Sequence, residues 1–357
     1  MADRELDDLT ALLPPLLNAL EALAFVSRYF YPPAFADLMS AIGAPEDGLR
    51  AARGELGDWP QALQDIRTAV DTASELTLGA FDELRAVQRE GGDARGIYRA
   101  LRNLPRAQEA LYPLASGIPP VNRYFLEPGA RDDKGLQQSL LDAPADENVG
   151  VMHLGGPPGA RGAFSLYVPE YYTSDRMWPL VMAMHGGSGN GRAFLWSWLR
   201  DARSHGAIVI APTATGDTWA LFDEDEDTPN LARILEFACG RWNIDTSRLL
   251  LTGMSDGGTF TYASGLDSSS LFTHLAPIAA SFHPLLAQMA DRERLRGLPI
   301  HIAHGALDWM FEIDLARRAQ ESLSAAGANV TYCELEDLSH CYPRELNPKI
   351  LEWLNRA

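Results

Sequence analysis

Cysteine is scarce in this chain, and positive charge is outweighed. Cys239, Cys333 and Cys341 are the only three cysteines in 357 residues. So sparse and odd a set excludes a disulfide framework and fits a reducing compartment. Cys333 and Cys341 flank one loop, where a bond between them is the alternative to two free thiols. Thirty Lys and Arg face 48 Asp and Glu, for a formal net charge of -18. Such a polyanion gains no counterion-release energy on nucleic acid and is repelled by anionic lipid, so the expected partner is a small neutral or cationic molecule. No uninterrupted apolar run reaches the ~18 residues of a membrane span. The opening Met1-Ala2-Asp3-Arg4-Glu5-Leu6-Asp7-Asp8 lacks the basic stretch and apolar core of a secretory leader. The expected setting is cytoplasmic. Internal repeats and low-complexity tracts are absent too. The 46% hydrophobic content supports a sizeable core, and at roughly 150 residues per domain the length suggests two domains.

The two halves differ in texture. Up to about Leu114 the pattern is helical. Leu13, Leu16, Leu17, Leu20 and Leu23 recur at helical spacing, and Pro14 and Pro15 suit a first turn better than a helix interior. Trp59-Pro60 opens a long helix ending at Gly91-Gly92, with Leu63, Ile66, Val70, Leu76, Phe81, Leu84 and Val87 on its buried side. Shorter helices follow around Tyr98–Leu104 and Gln108–Leu114. Residues 116–148 are rich in Pro, Gly and Asp and read as a linker between a helical domain, 1–115, and a second domain, 149–357. In that second domain Val149–Leu154, Ala163–Pro169, Pro179–His185, Ala207–Pro212, Leu249–Met254, Leu275–Ala280, Leu298–Ala303 and Val330–Leu335 read as strands. Helical patterns lie between most of them, notably Asn230–Trp242, Asp314–Ala326 and Pro348–Arg356. Alternating strands and helices predict a mainly parallel sheet with helices on both faces.

The run Leu249-Leu250-Leu251-Thr252-Gly253-Met254-Ser255-Asp256-Gly257-Gly258 places Gly-x-Ser-x-Gly between an apolar strand and a helix. That context predicts a tight turn presenting the Ser255 hydroxyl at the carboxyl end of the sheet, as a nucleophile. An ordinary glycine-rich turn is the alternative. His185-Gly186-Gly187-Ser188-Gly189 follows another strand, and N–H groups of Gly186 or Gly187 with that of Asp256 are candidates for an oxyanion hole. His185 is expected to fix that loop, and the Asp256 carboxylate to sit at a helix N-terminus. Asp308 ends the run His301–Asp308 and is preferred as the acid over Asp314, placed at a helix start, and Asp337, too close to the histidine. His340, on the loop after the last strand, is the candidate base; His304 is its main competitor but is expected to shape the turn carrying Asp308. Ser, then Asp, then His is the chain order of one serine-hydrolase fold among several.

His185-Gly186-Gly187, Gly253–Gly258, His304–Asp308 and Ser339-His340, with Arg241–Arg248 before the serine strand, resemble the α/β-hydrolase superfamily. Within it they are most similar to the phospholipase/carboxylesterase and polyhydroxybutyrate-depolymerase-like esterases. The resemblance covers about Val149 to the C-terminus and not the helical first part. It implies an α/β-hydrolase fold and hydrolysis of a small-molecule ester by a Ser255-Asp308-His340 triad, without metal or cofactor. A serine peptidase and a catalytically silent binding protein remain alternatives on this fold.

Trp309, Met310 and Phe311, directly after the acid, are candidates for a substrate pocket or for the core. Trp219, Leu221 and Phe222 precede the acidic run Asp223–Asp227, which reads as a solvated loop rather than a calcium site. Thr228 is expected to cap the following helix, with Pro229 in its first position. The helical domain is a candidate lid, homo-oligomer surface or partner-binding module.

Overall fold

The computed structural model describes residues 3–91, 93–221 and 224–356, which form two compact units, one up to Asp132 and the other from Asp133. The first unit is helical: α1 (Asp3–Tyr29), α2 (Phe35–Ala41), α3 (Pro45–Gly54), α4 (Gln64–Glu90), α5 (Ala94–Leu101), α6 (Asn103–Leu111) and α7 (Pro119–Tyr124). One expectation fails here. Pro14 and Pro15 lie in the middle of α1, where each removes a backbone donor and costs about 3 kcal/mol. The helix continues because Leu9, Leu12, Leu13, Leu16, Ala19, Leu20, Leu23 and Val26, on both sides of the prolines, are all buried against the bundle. The same helix, from Arg4 to Tyr29, is by length and composition alone long and apolar enough to cross a membrane. Asn18 and Glu21 interrupt its apolar run, and the buried leucines make it the core helix of this unit.

The stretch 116–148 is not a bare linker. Pro119 and Pro120 start α7, where the first helical position tolerates a missing N–H. Asp133 caps α8 (Lys134–Leu141) by accepting from Gly135 and Leu136 N–H.

The second unit is built on eight strands, β1 (Gly150–Leu154), β2 (Phe164–Val168), β3 (Trp178–Met184), β4 (Ile208–Pro212), β5 (Ile244–Met254), β6 (His274–Ile278), β7 (Pro299–Gly305) and β8 (Asn329–Leu335). They line up as β1-β2-β4-β3-β5-β6-β7-β8. β1 and β2 pair antiparallel, as do β2 and β4, and the remaining pairs are parallel. The connections carry α9 (Gly191–Phe194), α10 (Leu199–His205), α11 (Asp227–Arg241), α12 (Asp256–Gly265), α13 (Leu285–Met289), α14 (Arg292–Leu295), α15 (Ile313–Ala325) and, last, α16 (Asn347–Asn355).

The strands read as unbroken apolar runs because both faces are covered. On one face Leu180, Met182, Ile210, Leu251, Leu275 and Ile300 pack with Leu231 and Ile234 of α11, Phe260 of α12 and Leu323 of α15. The alternate residues Val181, Val209, Leu250 and Ala276 are equally buried, on the side where α10 meets β2 and β4 and α16 meets β5. β5, which leads to Ser255, is therefore a central strand clamped in register by β3 and β6.

Candidate active site

Ser255 is the single residue between the end of β5 and the start of α12, with φ 56° and ψ -120°. A non-glycine residue there stores on the order of 1–3 kcal/mol of strain. Two hydrogen bonds hold it: Ser255 N–H donates to Ile278 O at 3.0 Å, and Ser255 O accepts from Thr259 N–H at 2.8 Å. The flanking glycines are required by space. A Cβ on Gly253 would come within 2.4 Å of the Gly257 carbonyl carbon, and one on Gly257 within 2.5 Å of the His185 carbonyl oxygen.

Asp308 lies just past β7 and His340 just past β8, and backbone bonds tie their two loops together. Ala306 N–H donates to Leu335 O at 2.8 Å, and Leu307 N–H to Leu338 O at 3.0 Å. The result brings three of the expected residues into line. His340 Nδ1 is 2.8 Å from Asp308 Oδ2, and His340 Nε2 is 3.0 Å from Ser255 Oγ. A carboxylate only accepts, so Nδ1 carries the proton and Nε2 is left free to take one from the serine. All three residues are buried.

Asp308 is the most heavily solvated carboxylate by protein donors in this region. Met310 and Phe311 N–H donate to its Oδ1 at 2.9 and 2.8 Å, and His304 Nε2 lies 3.3 Å from its Oδ2. Burial alone would push its carboxyl up. Hydrogen bonds from His304 and His340, with the Phe311 N–H, outweigh that and hold it well below the usual carboxylate range. His304 Nε2 also lies 2.9 Å from Phe311 O. A carbonyl can only accept, so this nitrogen bears a proton. His304 thus shapes the acid turn, as expected, but it also touches the acid itself, which no spacing rule signals. Phe311 sets its ring edge-on to His340, with centroids 5.3 Å apart.

The glycine loop after β3 packs beside the elbow. A Cβ on Gly186 would lie 3.5 Å from Ser255 Cβ, and one on Gly187 only 2.6 Å from Asp256 Oδ2. Asp256 begins α12, so its N–H is among the four without a helical acceptor. His185 fixes this loop. Its Nε2 accepts from Ala214 N–H at 3.1 Å, which leaves Nδ1 to donate to Gly186 O at 2.6 Å. Trp219 Nε1 donates to the His185 carbonyl at 2.7 Å. Burial, aided by Arg161 and opposed by the Gly186 bond and Asp256, lowers the His185 imidazole to about 4.

That value implies acid sensitivity. The neutral imidazole's contribution is complete above pH 6.5 and is lost as pH falls toward 4, because only the unfolded chain takes up the proton in that window. At about 1.4 kcal/mol per pH unit the loss amounts to roughly 3 kcal/mol. Denaturant titrations of wild type and His185→Gln at pH 7 and pH 4 should show the wild type losing about that much more than the variant. Parallel losses would contradict it.

The remaining expectations divide. Trp309 and Met310 are about half exposed, 45% and 50%, so they are not core residues. Trp219 is core, stacked on Phe260 at 5.5 Å; Phe222 and Asp223 lie outside the described residues. Asp314 pairs with Arg317 at 3.0 Å, away from the histidine. Glu224, Asp225 and Glu226 are exposed, but Asp227 is buried and accepts from Thr215 and Ala220 N–H at 2.8 and 2.9 Å. Thr228 does not cap α11. The helix already includes Asp227, and the Thr228 hydroxyl bonds to Ser264 Oγ at 2.9 Å. The three cysteines are free thiols. His274 and His301 flank Trp353, with ring centroids 4.9 and 5.8 Å away. A depression of about 560 Å³ lined by Tyr171, Arg176 and Gly206 opens where the chain enters β3 and β4, at the end of the sheet opposite Ser255.

The sheet order, the strained serine turn and the acid and histidine loops after β7 and β8 give the second unit the arrangement of an α/β-hydrolase fold. Within it, residues 225–356 match the family model described as Phospholipase/Carboxylesterase. The chain is 29% identical over 154 residues to a bifunctional acetylxylan esterase/xylanase of Neocallimastix patriciarum, covering 42% of this chain and 22% of that one. It is 27% identical over 123 residues to feruloyl esterase B of Talaromyces stipitatus, covering 31% and 33%. The chain thus spans well under half the length of the curated relatives it matches. Among solved structures, a thermostable esterase aligns at 24% identity and TM-score 0.48 over 59% of this chain and 63% of its own.

Proposed function

We propose that the second unit hydrolyses carboxylic esters of small or medium acyl groups through an acyl-Ser255 intermediate. The observation that carries this is the unbroken chain Ser255 Oγ, His340 Nε2, His340 Nδ1, Asp308 Oδ2, with both contacts at 3.0 Å or less. Ser255 Oγ attacks the ester carbonyl carbon while His340 Nε2 takes its proton. The resulting oxyanion rests on N–H groups of Gly186 or Gly187 and of Asp256. His340 returns the proton to the departing alkoxide, which leaves as the alcohol. Water, deprotonated by His340, then attacks the acyl-serine and releases the acid.

The names of the relatives point to acetyl and feruloyl esters. Trp309 and Met310, exposed beside the acid, supply an apolar surface suited to the acyl or aromatic portion of such a substrate. p-Nitrophenyl esters from acetate to decanoate, together with a feruloyl ester, test the reading. Turnover best on the short or feruloyl esters, with a fluorophosphonate probe labelling Ser255, is the expected result. A folded protein that neither turns over any ester nor takes the probe would overturn it.

A further inference from the structure

We propose that Thr218 is a positioning residue of the oxyanion site, restraining the Asp256 carboxylate so that it does not oppose the charge that develops there. The inference rests on the ester-hydrolase reading above and extends it. Asp256 brings two opposed groups to one place. Its N–H, at the start of α12, favours an oxyanion; its carboxylate, one residue from the nucleophile, repels one. The structure shows where that carboxylate is kept. Thr218 Oγ1 donates to Asp256 Oδ2 at 2.6 Å, and the same oxygen occupies the space that a side chain on Gly187 would fill, 2.6 Å from an ideal Cβ.

Thr218 is itself held by a built strap between β4 and α11. Asp227 gathers both ends of the loop, accepting from Thr215 and Ala220 N–H at 2.8 and 2.9 Å. The neighbouring Trp219 donates to the His185 carbonyl at 2.7 Å and stacks on Phe260 of α12. The hydroxyl is therefore presented by a loop pinned to the glycine loop, to α12 and to α11 at once. Because those pins do not involve Thr218, its replacement should leave the loop in place while freeing the carboxylate to rotate.

A double-mutant cycle on p-nitrophenyl acetate hydrolysis reads this directly. Thr218→Val should lower kcat about tenfold with KM within about twofold, the signature of an interaction made in the transition state. Thr218→Ser, which keeps the hydroxyl, should retain wild-type kcat within about threefold. In the Asp256→Asn background the backbone donor survives while the charge is gone, so adding Thr218→Val should cost less than about twofold. An equal loss in both backgrounds would mean the threonine acts through packing and would overturn the proposal. So would an unchanged Thr218→Val, a tenfold loss in Thr218→Ser, or an inactive Asp256→Asn, in which the carboxylate would be required rather than restrained. Ser255→Ala separates the two levels: turnover that survives it removes the ester-hydrolase reading itself, whereas its loss alongside an unaffected Thr218→Val removes only this inference.

Discussion

Replacing Ser255 with alanine should cut ester turnover by on the order of 10⁶-fold, the scale on which triad nucleophiles fail when deleted. The protein should remain folded. The Ser255 hydroxyl has one contact that matters, to His340 Nε2 at 3.0 Å, and the backbone bonds to Ile278 and Thr259 do not depend on the side chain. Alanine inherits the φ of 56° and its strain, so stability should stay within about 1 kcal/mol. Glycine behaves differently at this position. It relieves the left-handed backbone and should raise stability by about 1 kcal/mol while being just as inactive. A stable, inactive Ser255→Gly would show that the elbow keeps its strain for the sake of the hydroxyl. A residual rate above that of the uncatalysed reaction is expected in both variants, because the N–H donors of the glycine loop and Asp256 remain. Rates near wild type in Ser255→Ala would assign the nucleophile elsewhere.

The second unit was legible because its strands are buried on both faces. Runs such as Leu249-Leu250-Leu251 admit no other comfortable place, and Gly253 answers to the backbone of Gly257, one helical turn further on. Signals of that kind are local. Where the deciding contact is distant, the sequence misleads. Pro14 and Pro15 obey a local rule that ends helices, yet α1 runs through them because its leucine stripe is buried by other helices, which no local rule can register. Residues 116–148 carry the composition of a linker, but their prolines and Asp133 start helices instead of interrupting them.

Asp227 is the clearest case in the site. It closes an acidic run that reads as solvated, and three of the acids before it are exposed as expected. Its burial follows from a loop that returns from Thr215 to Ala220 and offers it two backbone donors. Both carboxylate oxygens of Asp227 accept from backbone N–H groups, which replace the water given up on burial, whereas the exposed Asp225 accepts only from Thr228 N–H at the rim of the helix. Thr228 fails as a cap for the same reason, since the helix gains Asp227 as a buried first residue. His304 was legible as a turn-former from its place before Gly305, whereas its approach to Asp308 Oδ2 depends on how β7 ends and had no sequence signal.

Asp308→Asn should lower kcat/KM by on the order of 10⁴-fold, with a cause that the donor pattern makes specific. In the native site Oδ1 accepts two backbone N–H groups, from Met310 and Phe311. An asparagine must place its carbonyl oxygen there, since an NH₂ facing two N–H groups would leave three donors without an acceptor. The amide NH₂ then takes the place of Oδ2 and points at His340 Nδ1. To accept that proton His340 must shift its own to Nε2, where it faces Ser255 Oγ and can no longer take the serine's. His304 cannot absorb the mismatch, because its Nε2 proton is also directed at Phe311 O. The defect should therefore fall on kcat rather than KM, and fluorophosphonate labelling of Ser255 should slow in parallel. Asp308→Ala, which removes the acid without imposing a donor, should leave His340 free to choose its tautomer and should be less impaired than Asp308→Asn, provided both variants melt within a few degrees of each other. Equal impairment would mean that the charge of Asp308, rather than its hold on the His340 tautomer, is what catalysis requires.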